Sequence, residues 1–124
     1  GNPYVPKYGN WAFMKTPEKL NRYWREVRPL YADILVTHGP PKGILDKSYS
    51  RTREIDQCGD KNLLNMVKEL KPLFHLFGHI HNVNDLMNSG TCRISGINTT
   101  FSNGTVVTDN KFGTLTSNGN ILEI

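Results

Sequence analysis

The 124-residue sequence has only two cysteines, Cys58 and Cys92, and no CxxC pair. These residues cannot form a zinc ribbon or a framework of several disulfides, and a reducing compartment suits them, so we predict a cytoplasmic protein. No run of about 18 apolar residues occurs, so no membrane-spanning helix and no membrane partner are expected. With 37% hydrophobic and 21% charged residues, the composition is typical of a single folded domain.

The charge balance is basic, with 15 Lys and Arg against 11 Asp and Glu and a formal net charge of +4. Such a balance favours an anionic partner. The alternative is that an acidic segment of the complete protein lies outside this sequence. Part of the positive charge lies in residues 42–53, where it could attract a phosphorylated ligand or simply keep a surface loop solvated.

Two helices are predicted from their start and stop signals. Thr16 and Pro17 are typical of a helix N-cap and first helical position, and Pro29 would end that helix. Asp60 can cap a second helix, which Pro72 would end. The apolar faces are formed by residues at helical spacing, namely Leu20, Tyr23, Trp24 and Val27 in the first helix and Leu63, Leu64, Val67 and Leu70 in the second.

Short apolar runs predict the strands. Ile34–Val36 and residues 73–77 are predicted to be buried strands, and residues 42–59 are expected to be irregular. The remaining predicted strands are residues 11–14, 92–95, 106–108, 114–116 and 121–124, with an Asn118-Gly119 hairpin turn between the last two. This order predicts an α/β fold with a mixed sheet that continues into an antiparallel, β-rich tail.

Three of the four histidines follow the two buried strands. His38 follows the first, and His79 and His81 follow the second. Because sites in α/β proteins form beyond the carboxyl ends of strands, the three imidazoles could converge there on a metal ion. In an irregular loop after Gly78, His79 and His81 could instead point towards two neighbouring ions, and Gly78 would permit an unusual backbone dihedral.

Each histidine motif also has an ordinary structural interpretation. An isolated His-x-His pair is weak evidence for metal, and the Gly-Pro after His38 is by itself only a turn. His75 lies within the predicted strand and is interpreted as structural. The combination of two buried strands, each ending in histidine beside glycine, is more specific.

Residues 33–46 (DILVTHGPPKGILD) and 73–81 (LFHLFGHIH) closely resemble the calcineurin-like metallophosphoesterase superfamily. The segments Gly1-Asn2-Pro3-Tyr4 and Asn10-Trp11-Ala12-Phe13 are similar to its small metallophosphoesterase-domain branch. The resemblance covers residues 1 to about 100 and implies that residues 1–124 are one partial domain, the C-terminal half of a four-layer α/β/β/α sandwich. It also implies two divalent ions, manganese, iron, zinc or magnesium, with His38 and His79 on one and His81 on the other.

The sequence lacks the other motifs of that family, which are Asp-x-His, a Gly-Asp with a bridging aspartate, and Gly-Asn-His. Gly59-Asp60 stands after the first histidine motif, in the wrong place. Three neutral imidazoles cannot offset the repulsion between two adjacent cations, so we expect no catalytic residue in this chain and no activity from it alone. The N-terminal half of the domain, from the same gene or a second chain, would be its partner.

The resemblance therefore implies hydrolysis of phosphomonoesters or phosphodiesters, nucleotides among them, by a water that two metal ions activate. The substrate would be a phosphorylated small molecule or a nucleotide. The alternative is an inactive, truncated relative that binds an anion, a nucleotide or a protein. Exposed sheet edges could also support a homo-oligomer.

Overall fold

In a computed structural model of the chain, the described residues are 2–3, 14–27, 31–108 and 113–123. The elements in these ranges are, in chain order, β1 (Asn2–Pro3), β2 (Met14–Lys15), α1 (Pro17–Val27), β3 (Ile34–Val36), β4 (Lys47–Tyr49), β5 (Ile55–Gln57), α2 (Lys61–Leu70), β6 (Phe74–Phe77), β7 (Gly90–Ile94) and β8 (Ile97–Asn103). Of the strand predicted at residues 11–14, only Met14 lies within the described residues, where it begins β2.

Both helices begin where their capping residues predict. In α1, the Leu20 N–H donates to the carbonyl of Thr16 at 2.9 Å, which makes Pro17 the first helical residue. In α2, the Asp60 carboxylate accepts the Asn62 N–H at 2.8 Å. The carboxylate also accepts the indole N–H of Trp24 at 2.7 Å, so one buried aspartate joins the two helices.

The main sheet has the strand order β3-β6-β8-β7, in which β3, β6 and β8 are parallel and β7 is antiparallel to β8. The predicted mixed α/β sheet is therefore confirmed. Because the three parallel strands run the same way, their carboxyl ends lie at one edge of the sheet. The loops after them carry His38, His79 and Thr105, so the topology assembles the candidate site there.

The two faces of this sheet differ. Alternate residues of the central strands, His75, Phe77 and Phe101, are buried beneath the helices. On the other face Ile34 is 42% exposed and Val36 is 70% exposed. The prediction that β3 is buried is wrong, because β3 lies at the edge of the sheet and no described residue covers its second face.

Several other strand predictions are wrong. Residues 42–59 are not wholly irregular, since β4 and β5 pair as an antiparallel hairpin. The first tail strand, β7, begins at Gly90, two residues before the prediction, and β8 was not predicted because polar residues fill most of it. Residues 106–108 and 114–116 form only isolated bridges, between Val107 and Leu115 and between Thr108 and Asn82, and residues 121–123 contain no strand. No helix among the described residues is long and apolar enough to cross a membrane.

Candidate metal centre

The ends of β3 and β6 bring His38 and His79 into contact. The Thr37 N–H donates to the carbonyl of Leu76 at 3.0 Å, and the Gly78 N–H donates to the carbonyl of His38 at 3.0 Å. The two loops therefore leave the sheet side by side. Nε2 of His38 lies 3.1 Å from Nδ1 of His79, and the ring centroids are 4.6 Å apart.

The two ring nitrogens lie within hydrogen-bonding distance, and their separation also fits two ligands of one metal ion. Metal–nitrogen bonds of about 2.0–2.1 Å place adjacent ligand nitrogens about 3 Å apart. Among the described residues, however, no group of three or more His, Cys, Asp or Glu side chains is placed to hold an ion. The structure therefore brings together His38 and His79 but not His81 as a third member. Metal binding by His38, His79 and His81 stays a prediction.

The unusual backbone dihedral expected at Gly78 lies instead at the next residue. His79 has a φ of 71°, in the left-handed region that L-residues rarely adopt. A Cβ placed on Gly78 would meet only the Thr105 hydroxyl, at 3.8 Å. Left-handed backbone costs a non-glycine residue roughly 1–2 kcal/mol, so the surrounding structure must hold His79 in place.

The environment of His79 favours its neutral imidazole. Burial lowers the pKa of His79 below its usual value, and the neighbouring charges of His38 and His81 lower that pKa further. Only the neutral ring has a free lone pair at the nitrogen that would bind a metal. His79 is therefore in the form that a metal ligand requires near neutral pH.

His75 supports the His38 loop from inside the core. Its Nε2 lies 2.9 Å from the Thr37 hydroxyl, and that hydroxyl donates to the carbonyl of Gly39 at 2.7 Å. Because the hydroxyl has one proton, His75 must donate from Nε2, which leaves Nδ1 unprotonated and without a partner. Thr37 and Gly39 flank His38, so this chain of bonds fixes the loop on both sides of it.

Burial lowers the pKa of His75 from its ordinary value of 6.5 to about 3. The ring packs on the buried face of the sheet against Phe77 and Phe101, with ring centroids 5.0 Å and 5.8 Å away. It is therefore neutral whenever the chain is folded near neutral pH. The structural interpretation of His75 agrees with this environment.

The turn after His38 is closed by close backbone packing. The Gly59 N–H donates to the Asp46 carboxylate at 2.9 Å, and the Asp60 N–H donates to the carbonyl of Pro40 at 3.0 Å. A Cβ on Gly59 would lie 2.4 Å from the carbonyl oxygen of Pro41. Only glycine fits at this point, and Gly59-Asp60 therefore serves the loop's structure.

Two buried asparagines near the site were missed from the sequence. Asn88 donates to the carbonyl of His81 at 2.8 Å, and Asn103 donates to the carbonyl of Ile80 at 3.0 Å. Neither side chain has any exposed surface. Both residues stand in polar stretches that resemble surface loops. Only the pairing of Asn103 with Phe77 at the end of β6 shows its proximity to the histidine loop.

Comparison with known proteins gives a consistent group of relatives, although no family model and no solved structure matches the chain. Human metallophosphoesterase domain-containing protein 1 is 36% identical over 112 residues, which is 89% of this chain and 31% of that protein. A UPF0046 protein of Caenorhabditis elegans is 32% identical over 103 residues, 83% of this chain and 31% of that protein.

The chain belongs to the metallophosphoesterase family. It represents a C-terminal portion of the family's domain and spans about a third of the length of these relatives. The family resemblance of the two histidine motifs is thereby confirmed.

One further relative of this metallophosphoesterase chain has a name that refers to a different activity. Probable rhamnogalacturonate lyase C of Emericella nidulans is 46% identical over 81 residues, which is 65% of this chain but only 7% of that protein. More than nine tenths of that protein is not matched by this chain. A lyase activity therefore does not follow for the metallophosphoesterase chain.

The basic segment beside the histidines is a fixed part of the structure. Its hairpin is tied to the loop after His81, because the Tyr49 hydroxyl donates to the Asp85 carboxylate. Arg51 and Arg53 are exposed in the turn between β4 and β5. The metallophosphoesterase chain thus has an ordered hairpin with two cations at its end.

Proposed function

We propose that this chain supplies the histidine ligands of a two-metal phosphoesterase, which hydrolyses phosphomonoesters or phosphodiesters. The contact between Nε2 of His38 and Nδ1 of His79, at 3.1 Å, is the observation that carries the proposal. His38 and His79 would hold one ion and His81 the other. When bound, the two divalent ions would supply an activated water and a positive clamp for phosphate oxygens.

The carboxylate and asparagine ligands would come from polypeptide outside these 124 residues. Asp60 is unsuited to bridge two ions, because its carboxylate is buried and accepts bonds from Trp24 and Asn62. Asp46 is also committed, since its carboxylate accepts the N–H groups of Gly43 and Gly59. The structural roles of these two aspartates support a site that is completed from elsewhere.

The open face of the main sheet supports the same division. Ile34 and Val36 form an apolar, partly exposed surface at the edge strand. An N-terminal half of the domain, from the same polypeptide or a second chain, would cover this surface and complete a four-layer sandwich. That addition would bring the missing ligands to the strand-end edge where the histidines lie.

The test is complementation. The chain, alone and together with polypeptide that carries the three missing motifs, is assayed with bis(para-nitrophenyl) phosphate, para-nitrophenyl phosphate and nucleotides in manganese, zinc or magnesium. We expect hydrolysis only from the combination, and its loss in the His38→Ala and His79→Ala variants. Absence of hydrolysis from every combination, with a folded complex present, would count against the proposal.

A second candidate is a non-catalytic binding module for an anion, a nucleotide or a protein. The exposed arginines of the β4–β5 hairpin and the uncovered Val36, which is 70% exposed, favour it. The same open edge could pair with another copy of the chain. Metal-independent nucleotide binding by a stable, folded chain would support this candidate, and sedimentation would show whether that chain is a dimer.

A further inference from the structure

Asn88 joins the histidine loop, residues 79–81, to the basic hairpin that β4 and β5 form. One side-chain amide group donates both to the carbonyl of His81 and to the carbonyl of Lys47, each at 2.8 Å. Its oxygen accepts the Lys47 N–H at 2.9 Å. The start of the hairpin and the last histidine are therefore held by the two donors of one buried side chain.

Asn103 makes the same kind of connection one step away. Its amide donates to the carbonyl of Ile80 at 3.0 Å and to the carbonyl of Leu45 at 3.2 Å. Its oxygen accepts the Thr105 N–H at 3.0 Å. Both asparagines thus use two N–H donors to bridge one carbonyl of the histidine loop and one carbonyl of residues 45–47.

The bridged segments contain residues in strained backbone conformations. His79 precedes Ile80 and has a φ of 71°, and Leu45 has a φ of 50°. Such conformations persist only where their surroundings leave no alternative. Asn103 holds the carbonyl of Leu45 itself and the carbonyl next to His79, so it restrains both strained sites at once.

We propose that Asn88 and Asn103 are positioning residues, which hold the His79–His81 loop where His79 meets His38 and lock that loop to the basic hairpin. Neither side chain would touch metal or substrate, and each acts through the carbonyls that it holds. That the loop supplies metal ligands rests on the proposed function. That the two asparagines position the loop does not.

The first measurement needs no metal. In isotope-labelled chain, the nuclear Overhauser effect between the ring protons of His38 and His79 reports their contact. We expect this signal in the unmodified chain and its loss in Asn88→Asp and Asn103→Asp, which keep the size and the acceptor oxygen but lack both N–H donors. Retention of the full signal in folded variants would overturn the proposal.

The matched control is Thr99→Val. Thr99 is also fully buried in β8, and its hydroxyl donates to the carbonyl of Pro72 at 2.6 Å, away from the histidines. We expect the ring contact to survive in this variant. If Thr99→Val abolishes the contact as well, the effect is general to the fold and the positioning role is wrong.

The second measurement is the zinc affinity, determined by titration calorimetry. We expect the two asparagine variants to bind zinc roughly tenfold or more weakly than the Thr99→Val variant. An added negative charge would by itself strengthen cation binding, so a weaker affinity reports the lost donors. If no form of the chain binds zinc, the ring contact alone tests the positioning, and the complementation assay alone tests the proposed function.

A third measurement uses the unmodified chain and tests the proposal even if the asparagine variants do not fold. In the unmodified chain, couplings across hydrogen bonds should connect the side-chain nitrogen of Asn88 to the carbonyl carbon of His81. They should likewise connect the side-chain nitrogen of Asn103 to the carbonyl carbon of Ile80. Their presence supports the bridges directly, and their absence in a folded chain would overturn the proposal without any substitution.

Discussion

The two histidine loops leave neighbouring parallel strands, yet different forces hold them. The loop of His38 is fixed by tight backbone packing at Gly59 and by the hydrogen bond between Thr37 and the buried His75. The loop of His79 contains a strained residue and is held through its carbonyls by asparagine side chains. The first loop should therefore be sensitive to added volume and to pH, and the second loop to the loss of the asparagine N–H donors.

The largest expected effect breaks the first loop by adding one methyl group. Gly59→Ala places a Cβ 2.4 Å from the carbonyl oxygen of Pro41, so backbone must shift, and we expect a loss of about 3 kcal/mol or more. Urea unfolding measures this loss in the free energy of unfolding. Gly78→Ala is the control, because its Cβ meets only a hydroxyl at 3.8 Å, and its change should stay within about 1 kcal/mol. Equal losses would contradict the difference.

The next expected effect is a pH dependence of the stability that comes from His75, which holds the first loop. Because the pKa of His75 falls from 6.5 to about 3 on folding, the unfolded chain binds a proton that the folded chain refuses. Stability from this residue is complete above pH 6.5 and is lost as the pH falls towards about 3, by up to about 1.4 kcal/mol per pH unit.

His75→Gln tests this linkage, since the glutamine amide can still donate to Thr37 but does not titrate. We expect the variant to be less stable at neutral pH and to lose stability with acid more gradually. Denaturant unfolding measured across that pH range compares the two slopes. Parallel slopes would mean that folding does not lower the pKa of His75, which would contradict the prediction.

A pair of threonines compares the hydroxyl bonds of the two loops. Thr37→Val leaves a buried His75 N–H and the carbonyl of Gly39 without their partner, which should cost about 1–3 kcal/mol. Thr105→Val removes only a long bond of 3.4 Å to Ile80, so about 0.5 kcal/mol or less is expected. Thermal unfolding of both variants would decide, and a larger loss at Thr105 would reverse the comparison.

The smallest effect concerns backbone strain in the second loop. At His79, where φ is 71°, glycine should be more stable than alanine by about 1–2 kcal/mol, since both variants lack the ring and only alanine keeps the strain. His38 is not among the residues with positive φ, so alanine should be equal to or better than glycine there. The same order at both positions in urea unfolding would sink this prediction.

Much of the α/β framework was predictable because its signals are local. Thr16 with Pro17, and Asp60, mark helix starts through bonds made within one turn, and the structure has both helices there. The strand at Ile34–Val36 and most of the strand before Gly78 were also predicted in place. The contact of His38 with His79 followed from two strands that end at the same edge.

The misses share a physical cause, which is that long-range pairing determined them. The β4–β5 hairpin and β8 contain polar residues whose strand conformation is stabilised by partners far along the chain. The burial of Ile34 and Val36 was expected from their apolar character, but burial requires a covering layer that no described residue supplies.

By itself, the sequence determined where the two helices begin, where the strands before His38 and Gly78 end, and the family to which the chain belongs, because capping bonds, periodicity and the histidine motifs depend on neighbouring residues. Only the tertiary structure decided that Asn88 and Asn103 are buried, that His75 holds the first loop through Thr37, and that His79 carries the strain. The reason is that a polar side chain takes its role from the partner it meets, and these partners are brought together only by strand pairing.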